Sequence, residues 1–123
     1  MKLSTVLLSV LLLVSISAAN NYNYPHAPDR ILIYFGEDTD LSHLSTTGNS
    51  LTGIPEIDNL SEYYSVESIE KLFDHFKMLD YPGYIDLSRW YVVHFPVNIP
   101  VRDVVEAFKE CKAVRYAEPD YAN

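Results

Sequence analysis

Residues 89–121 have the sequence RWYVVHFPVNIPVRDVVEAFKECKAVRYAEPDY. The apolar and aromatic run at 89–95 predicts a strand. Pro100 suits the first turn of a helix, because its missing N–H is not needed there. The apolar residues that follow recur at helical spacing and predict one buried face, made of Val101, Val104, Val105, Phe108 and Cys111. A further strand over 113–117, stopped at Glu118 and Pro119, completes a strand-helix-strand unit.

The region upstream predicts a similar unit. Residues 30–35, RILIYF, indicate a first strand. Residues 37–64 lose all periodicity and predict a long loop or a partly ordered insertion. Ser65 is a suitable N-cap for a helix that continues to a Pro-Gly pair. Its apolar face would consist of Val66, Ile69, Leu72, Phe73 and Phe76. A short strand over 84–87 then leads into the strand at 89–95.

The predicted order of elements is βαββαβ, which indicates an α+β protein with a ferredoxin-like fold. Such a fold has an antiparallel sheet with two helices on one face and leaves the other face open. Alternation along the strand at 89–95 places Trp90, Val92 and His94 on that open face. Amphipathic aromatic residues there would suit contact with a partner protein. The alternative is that the loop at 37–64 folds over them.

The N-terminus has the pattern of a secretory signal peptide over residues 1–19. A charged start, an apolar middle and small residues before the cleavage point predict cleavage after Ala19. A retained N-terminal anchor is the alternative. Residues 20–29 then predict a flexible lead-in, and residues 30–123 a single domain, secreted or periplasmic and free of the membrane after cleavage.

Composition narrows the kind of partner. The chain has 9 basic and 17 acidic residues, a formal net charge of −8, which argues against nucleic acid and anionic lipid. The sequence contains no recognisable catalytic motif and no glycine-rich phosphate loop, and its four histidines lack the spacing of metal ligands. We therefore expect no enzyme activity, metal or cofactor. Cys111, the only cysteine, is either a small buried hydrophobe or a reactive thiol. The expected partner is a protein.

The stretch VVHFP...VRDVVEAFKECKAVRYAEPDY, within residues 91–121, resembles the second half of subtilisin-family propeptides, including the N-terminal prodomain of fervidolysin-type enzymes. The resemblance implies a domain that binds a subtilisin-family serine protease in trans, as an inhibitor, a folding assistant or both. It also implies that Glu118 and Asp120 accept hydrogen bonds from N-termini of protease helices. Tyr121, Ala122 and Asn123 would begin the tail that leads to the active site. The alternative is that both acids are simply solvated in a terminal turn.

The sequence departs from that family in two respects. It ends at Asn123, within the first part of the tail, so we expect a docked domain to cover the flank of the enzyme and fill its reactive centre poorly. The long segment at 37–64 is the second departure. Two other interpretations therefore stay open: an orphaned prodomain of a truncated protease gene, or an unrelated exported ferredoxin-like module for protein interaction.

Overall fold

A computed structural model describes residues 22–42, 44, 52–73 and 86–121. In chain order the elements are β1 (Arg30–Phe35), α1 (Pro55–Tyr63), β2 (Ser68–Lys71), β3 (Trp90–His94), α2 (Val101–Lys109) and β4 (Val114–Pro119). The strands form one sheet in the order β2-β3-β1-β4, and each neighbouring pair is antiparallel. The predicted α+β class and the βαββαβ arrangement of a ferredoxin-like fold are confirmed.

The centre of the sheet is formed by β1 and β3, whose alternate side chains point into the core. Ile31 lies opposite Val93, Ile33 lies opposite Tyr91, and all four are buried. Full burial of an aliphatic or aromatic side chain is worth roughly 1.5–3 kcal/mol. This hydrophobic layer is what holds the two helices against the sheet.

Helix α2 matches its prediction closely. Val101, Val104, Val105 and Phe108 are buried, and Cys111 is buried just beyond the helix end. Pro100 is the N-cap residue, immediately before the first helical residue. The apolar stripe is therefore sufficient to explain both the position and the orientation of the helix.

The first helix was predicted in the wrong place. Residues 68–71, within the predicted helix, form β2, where Ile69 lies opposite Val93 of β3. Leu72 and Phe73 are 36% and 39% exposed and form no buried helix face. Ser65 has a positive φ of 56° and turns the chain instead of capping a helix. The rest of the predicted helix, from residue 74 onward, lies outside the described residues.

Helix α1 lies instead inside the segment that was predicted to be a loop, 37–64. Pro55 occupies its first turn, and the carboxylate of Asp58 accepts hydrogen bonds from the backbone N–H groups of Thr52 (2.7 Å) and Gly53 (3.1 Å). Ile57 and Leu60 are the apolar residues of this helix that pack against the core, and Ser61 is buried beside them in sequence. Two apolar contacts are too few to show a helical period in the sequence.

Two strand boundaries also differ from the prediction. A strand was predicted at 84–87, and its described residues, Asp86 and Leu87, do not form one. Leu87–Arg89 is a 3₁₀ turn, and Asp86 is its N-cap. β4 does not stop before Pro119 but includes it. β4 is an edge strand, where the missing N–H of a proline is tolerated.

The lead-in at 20–29 was predicted to be flexible, but its described residues are held against the domain. Ala27 is buried and its N–H donates to the carbonyl of Asp120 at 2.8 Å. The N–H of Phe95 donates to the carbonyl of Asp29 at 2.9 Å. Composition alone could not show that this Asn- and Tyr-rich segment has backbone partners.

The predicted signal peptide, residues 1–19, lies outside the described residues. Within the part of the chain that the structure describes, no helix has the length and apolar character to cross a membrane.

Candidate protein-docking surface

The face of the sheet that points away from the helices is called here the open face. Cross-strand pairs share a face, so the register places β1, β2 and β4 residues beside those of β3. Trp90, Val92 and His94 lie on it and are partly exposed, as alternation predicted. Its other members are Arg30, Leu32, Tyr34, Ser68, Glu70, Tyr116 and Glu118.

An aromatic cluster of three rings forms the centre of the open face. Tyr34 lies 5.2 Å from Trp90 and 5.7 Å from Tyr116 between ring centroids, and Trp90 and Tyr116 are stacked at 6.5 Å. Tyr34 is only 2% exposed although it lies on this face, because the two neighbouring rings close over it. Tyr116 is 52% exposed. The cluster presents a rigid, amphipathic surface to solvent.

The segment at 37–64 does not cover this surface in the part that is described. Leu41, Leu44, Ile54 and Leu60 pack against the hydrophobic core, on the opposite side of the sheet. Glu37 approaches the open face, where its carboxylate accepts a hydrogen bond from the Tyr34 hydroxyl at 3.4 Å and pairs with Arg115 at 2.8 Å. Trp90, Val92 and His94 stay accessible.

Glu118 carries a carboxyl group on the open face that has few stabilising contacts with the described residues around it. Its backbone pairs with β1 opposite Leu32 and the residue is partly buried, but its carboxylate has no hydrogen bond or ion pair with another described residue. Burial, and then repulsion from the Asp120 carboxylate, raise the pKa of Glu118 above its ordinary value. The ionised form of Glu118 is therefore partly removed from water without a compensating partner among the described residues.

Asp120 has a different environment, although the resemblance treats the two acids as a pair. The Nε of Arg30 donates to Oδ2 of Asp120 at 2.8 Å, and the Asp120 side chain is 13% exposed. Arg30 also pairs with Asp29 at 3.0 Å. The two acids are therefore not equivalent within the described residues: Asp120 has a charged partner there, and the Glu118 carboxylate has none.

The tail predicted to follow these acids is described only in part. Tyr121 is 37% exposed, and its ring meets the ring of His26 edge-on at 6.2 Å between centroids. Ala122 and Asn123 lie outside the described residues.

Other candidate chemistry stays apart from this surface. Cys111 is buried, and burial, with Glu56 and Glu110 nearby, raises the pKa of its thiol to about 11. Among the described residues, no three His, Cys, Asp or Glu side chains lie close enough together to hold a metal ion.

Six residues of this surface were not singled out from the sequence: Arg30, Leu32, Tyr34, Ser68, Glu70 and Tyr116. Tyr34 and Leu32 could have been found by applying alternation to RILIYF, since they lie between the core positions of β1. The association of Tyr34 with Tyr116 required the pairing of β1 with β4, which local sequence does not show.

Comparison with protein-family models, curated proteins and solved structures found no match to this chain.

Proposed function

We propose that this chain is an exported, non-catalytic, propeptide-like domain that binds a subtilisin-family serine protease in trans, as an inhibitor or a folding assistant. The ferredoxin-like fold and the resemblance of residues 91–121 support this proposal. The open face supplies the contact surface.

The observation that carries the proposal is the environment of Glu118. The Glu118 carboxyl group is partly buried, and no described residue pairs with it; the ionised form of such a group costs stability in the free domain. The same group can accept hydrogen bonds from the free N–H groups at the start of a helix, where a carboxylate also meets a favourable dipole. A partner that supplies such donors would convert an unfavourable group into a favourable contact.

The aromatic cluster supports the same conclusion. Interfaces are enriched in Tyr and Trp, which bury a large area and keep a polar group for hydrogen bonding. Trp90 and Tyr116 are already ordered against Tyr34, so little side-chain entropy would be lost on docking. Glu118 lies on the same face of β4 as Tyr116, two positions further along the strand.

The mechanism needs no chemistry by the domain itself. Binding to the native surface of a protease stabilises that state against unfolded forms by mass action. Docking over the flank of the enzyme assists folding by this route. Inhibition additionally requires the C-terminal tail to reach the active site.

The test is the affinity of the full-length chain, produced in a secreting host, for active-site-blocked subtilisin-family proteases. Val92→Lys places a charge at the centre of the open face, and Val97→Lys is a matched control at a site that is 69% exposed and off the sheet. We expect Val92→Lys to weaken binding by about 100-fold or more and Val97→Lys to leave it unchanged.

Absence of binding to several such proteases would overturn the proposal. Equal losses in both variants would show that the open face is not the contact surface. If binding is found, the yield of active protease on refolding, with and without the domain, separates a folding assistant from a simple inhibitor.

A further inference from the structure

The lead-in and the end of the described chain lie side by side. The N–H of Ala27 donates to the carbonyl of Asp120 at 2.8 Å, and Nε of Arg30 donates to the carboxylate of the same residue at 2.8 Å. The His26 ring contacts the Tyr121 ring. Three different kinds of contact therefore join residues about 90 positions apart.

The lead-in is itself attached to the domain at two other points. The Tyr22 hydroxyl donates to Glu106 of α2 at 2.8 Å, and the Arg102 guanidinium lies 4.6 Å from the centre of the Tyr22 ring. The backbone of Asp29 accepts from Phe95 at 2.9 Å. Because the lead-in is fixed to the domain at both ends, it can hold the C-terminal residues that it contacts in place.

We propose that residues 22–30, the described lead-in together with Arg30 at the start of β1, form a latch that positions the C-terminal segment, with Arg30 as the positioning residue. By binding both the main chain and the side chain of Asp120, the latch sets the direction in which the chain leaves β4. Asp120 is then a structural anchor for the tail, and Glu118 alone of the two acids is offered to a partner. The role of Glu118 as the acid offered to a partner rests on the proposed function, whereas the positioning of the C-terminal segment by the latch does not.

The latch would contribute to binding through pre-organisation. A tail held in one direction loses less conformational entropy when it is ordered on a partner. Removing either Arg30 or Asp120 should release the same contact, so the two changes should not add. If Asp120 instead bound the partner directly, loss of Asp120 and loss of Arg30 would have separate effects.

The first test concerns the latch itself and needs no partner. It compares backbone ¹⁵N relaxation of the full-length chain with that of Arg30→Gln, Arg30→Lys and a control at an exposed lysine, Lys112→Gln, all produced in a secreting host. We expect the heteronuclear NOE of Tyr121 to fall in Arg30→Gln and to recover in part in Arg30→Lys. The values for the buried residues Ile33 and Val104 should stay unchanged. A Tyr121 amide that is equally ordered in Arg30→Gln would overturn the proposal.

The second test is a double-mutant cycle for binding to the protease with Arg30→Gln and Asp120→Asn. We expect each single variant to bind about three- to tenfold more weakly and the double variant to lose clearly less than the product of the two single losses. Additive losses would contradict the anchoring role of Asp120. If no protease binds the wild-type chain, the proposed function fails, while the relaxation experiment still decides whether the latch exists.

Discussion

At the scale of single residues, Glu118 and Asp120 show how strongly the folded environment changes the meaning of a motif. The two carboxyl groups are separated by one proline and look equivalent in the sequence. In the fold, Arg30 neutralises Asp120, while Glu118 faces Leu32 across the sheet and lacks a partner among the described residues. A side chain that lowers the stability of the free protein is a good candidate for a contact that forms only in a complex.

The first prediction concerns the stability of the free domain. Glu118→Gln removes the uncompensated charge, so we expect its free energy of unfolding at pH 7 to exceed that of the wild type by up to about 1 kcal/mol. The raised pKa of Glu118 means that the folded state binds the proton more tightly. The wild type should therefore gain stability relative to the variant as the pH falls from 7 towards about 4.3.

Denaturant unfolding at several pH values measures this difference, with Glu62→Gln on the exposed side of α1 as control. A variant that is less stable than the wild type at pH 7 would show that Glu118 has a favourable partner.

At the scale of elements, a helix or strand can be predicted from its own sequence when its apolar spacing is sufficient to identify it, and not when it depends on pairing with a distant segment. Helix α2 buries residues at regular helical spacing, so its sequence identifies it without tertiary information. β2 buries Ile69 and depends on pairing with β3, which a local pattern cannot show. The spacing of Ile69 and Leu72 suits a helix equally well, and this ambiguity produced the wrong prediction. The fold class was still correct, because one helix lies between the first and second strands of the chain in both the predicted and the observed order of elements.

The second prediction concerns the N-terminus of α1. Asp58 accepts three hydrogen bonds from Thr52 and Gly53, two of them from backbone N–H groups. We expect Asp58→Ala to lower the free energy of unfolding by about 1–2 kcal/mol, in the range of lost helix caps. Glu62→Ala, at an exposed position of the same helix, should change it by less than about 0.5 kcal/mol. Equal effects of the two substitutions in chemical denaturation would contradict this account of the helix start.

The third prediction separates a strand at 68–71 from the helix expected there. Ile69 is fully buried and Leu72 is 36% exposed. We expect Ile69→Ala to cost about 2–5 kcal/mol and Leu72→Ala less than about 1 kcal/mol in free energy of unfolding. A helix with both residues on its buried face would give similar losses for both, which chemical denaturation would reveal.

At the scale of the whole molecule, one side of the sheet carries the core and the other carries the candidate site. Alternation along one strand was enough to predict that Trp90, Val92 and His94 point away from the helices. The ring cluster and the pairing of Arg30 with Asp120 arise from strand order, so no single stretch of sequence could reveal them. Sequence therefore indicated the candidate surface but not the different environments of Glu118 and Asp120.

The fourth prediction uses Cys111 as a probe of global unfolding. Its thiol is buried beyond the end of α2, and its pKa of about 11 leaves very little reactive thiolate at pH 8. We expect reaction with a disulfide reagent to be at least about 100-fold slower in the native protein than in denaturant. Rapid reaction under native conditions would show that this end of the core opens locally.

The most direct measurement of the central claim is the affinity of wild type and Glu118→Gln for an active-site-blocked subtilisin-family protease, determined beside their stabilities. The account predicts that Glu118→Gln binds about tenfold or more weakly, although its free domain is the more stable of the two. Equal affinities for a protease that binds the wild type, or no binding of the wild type at all, would contradict it.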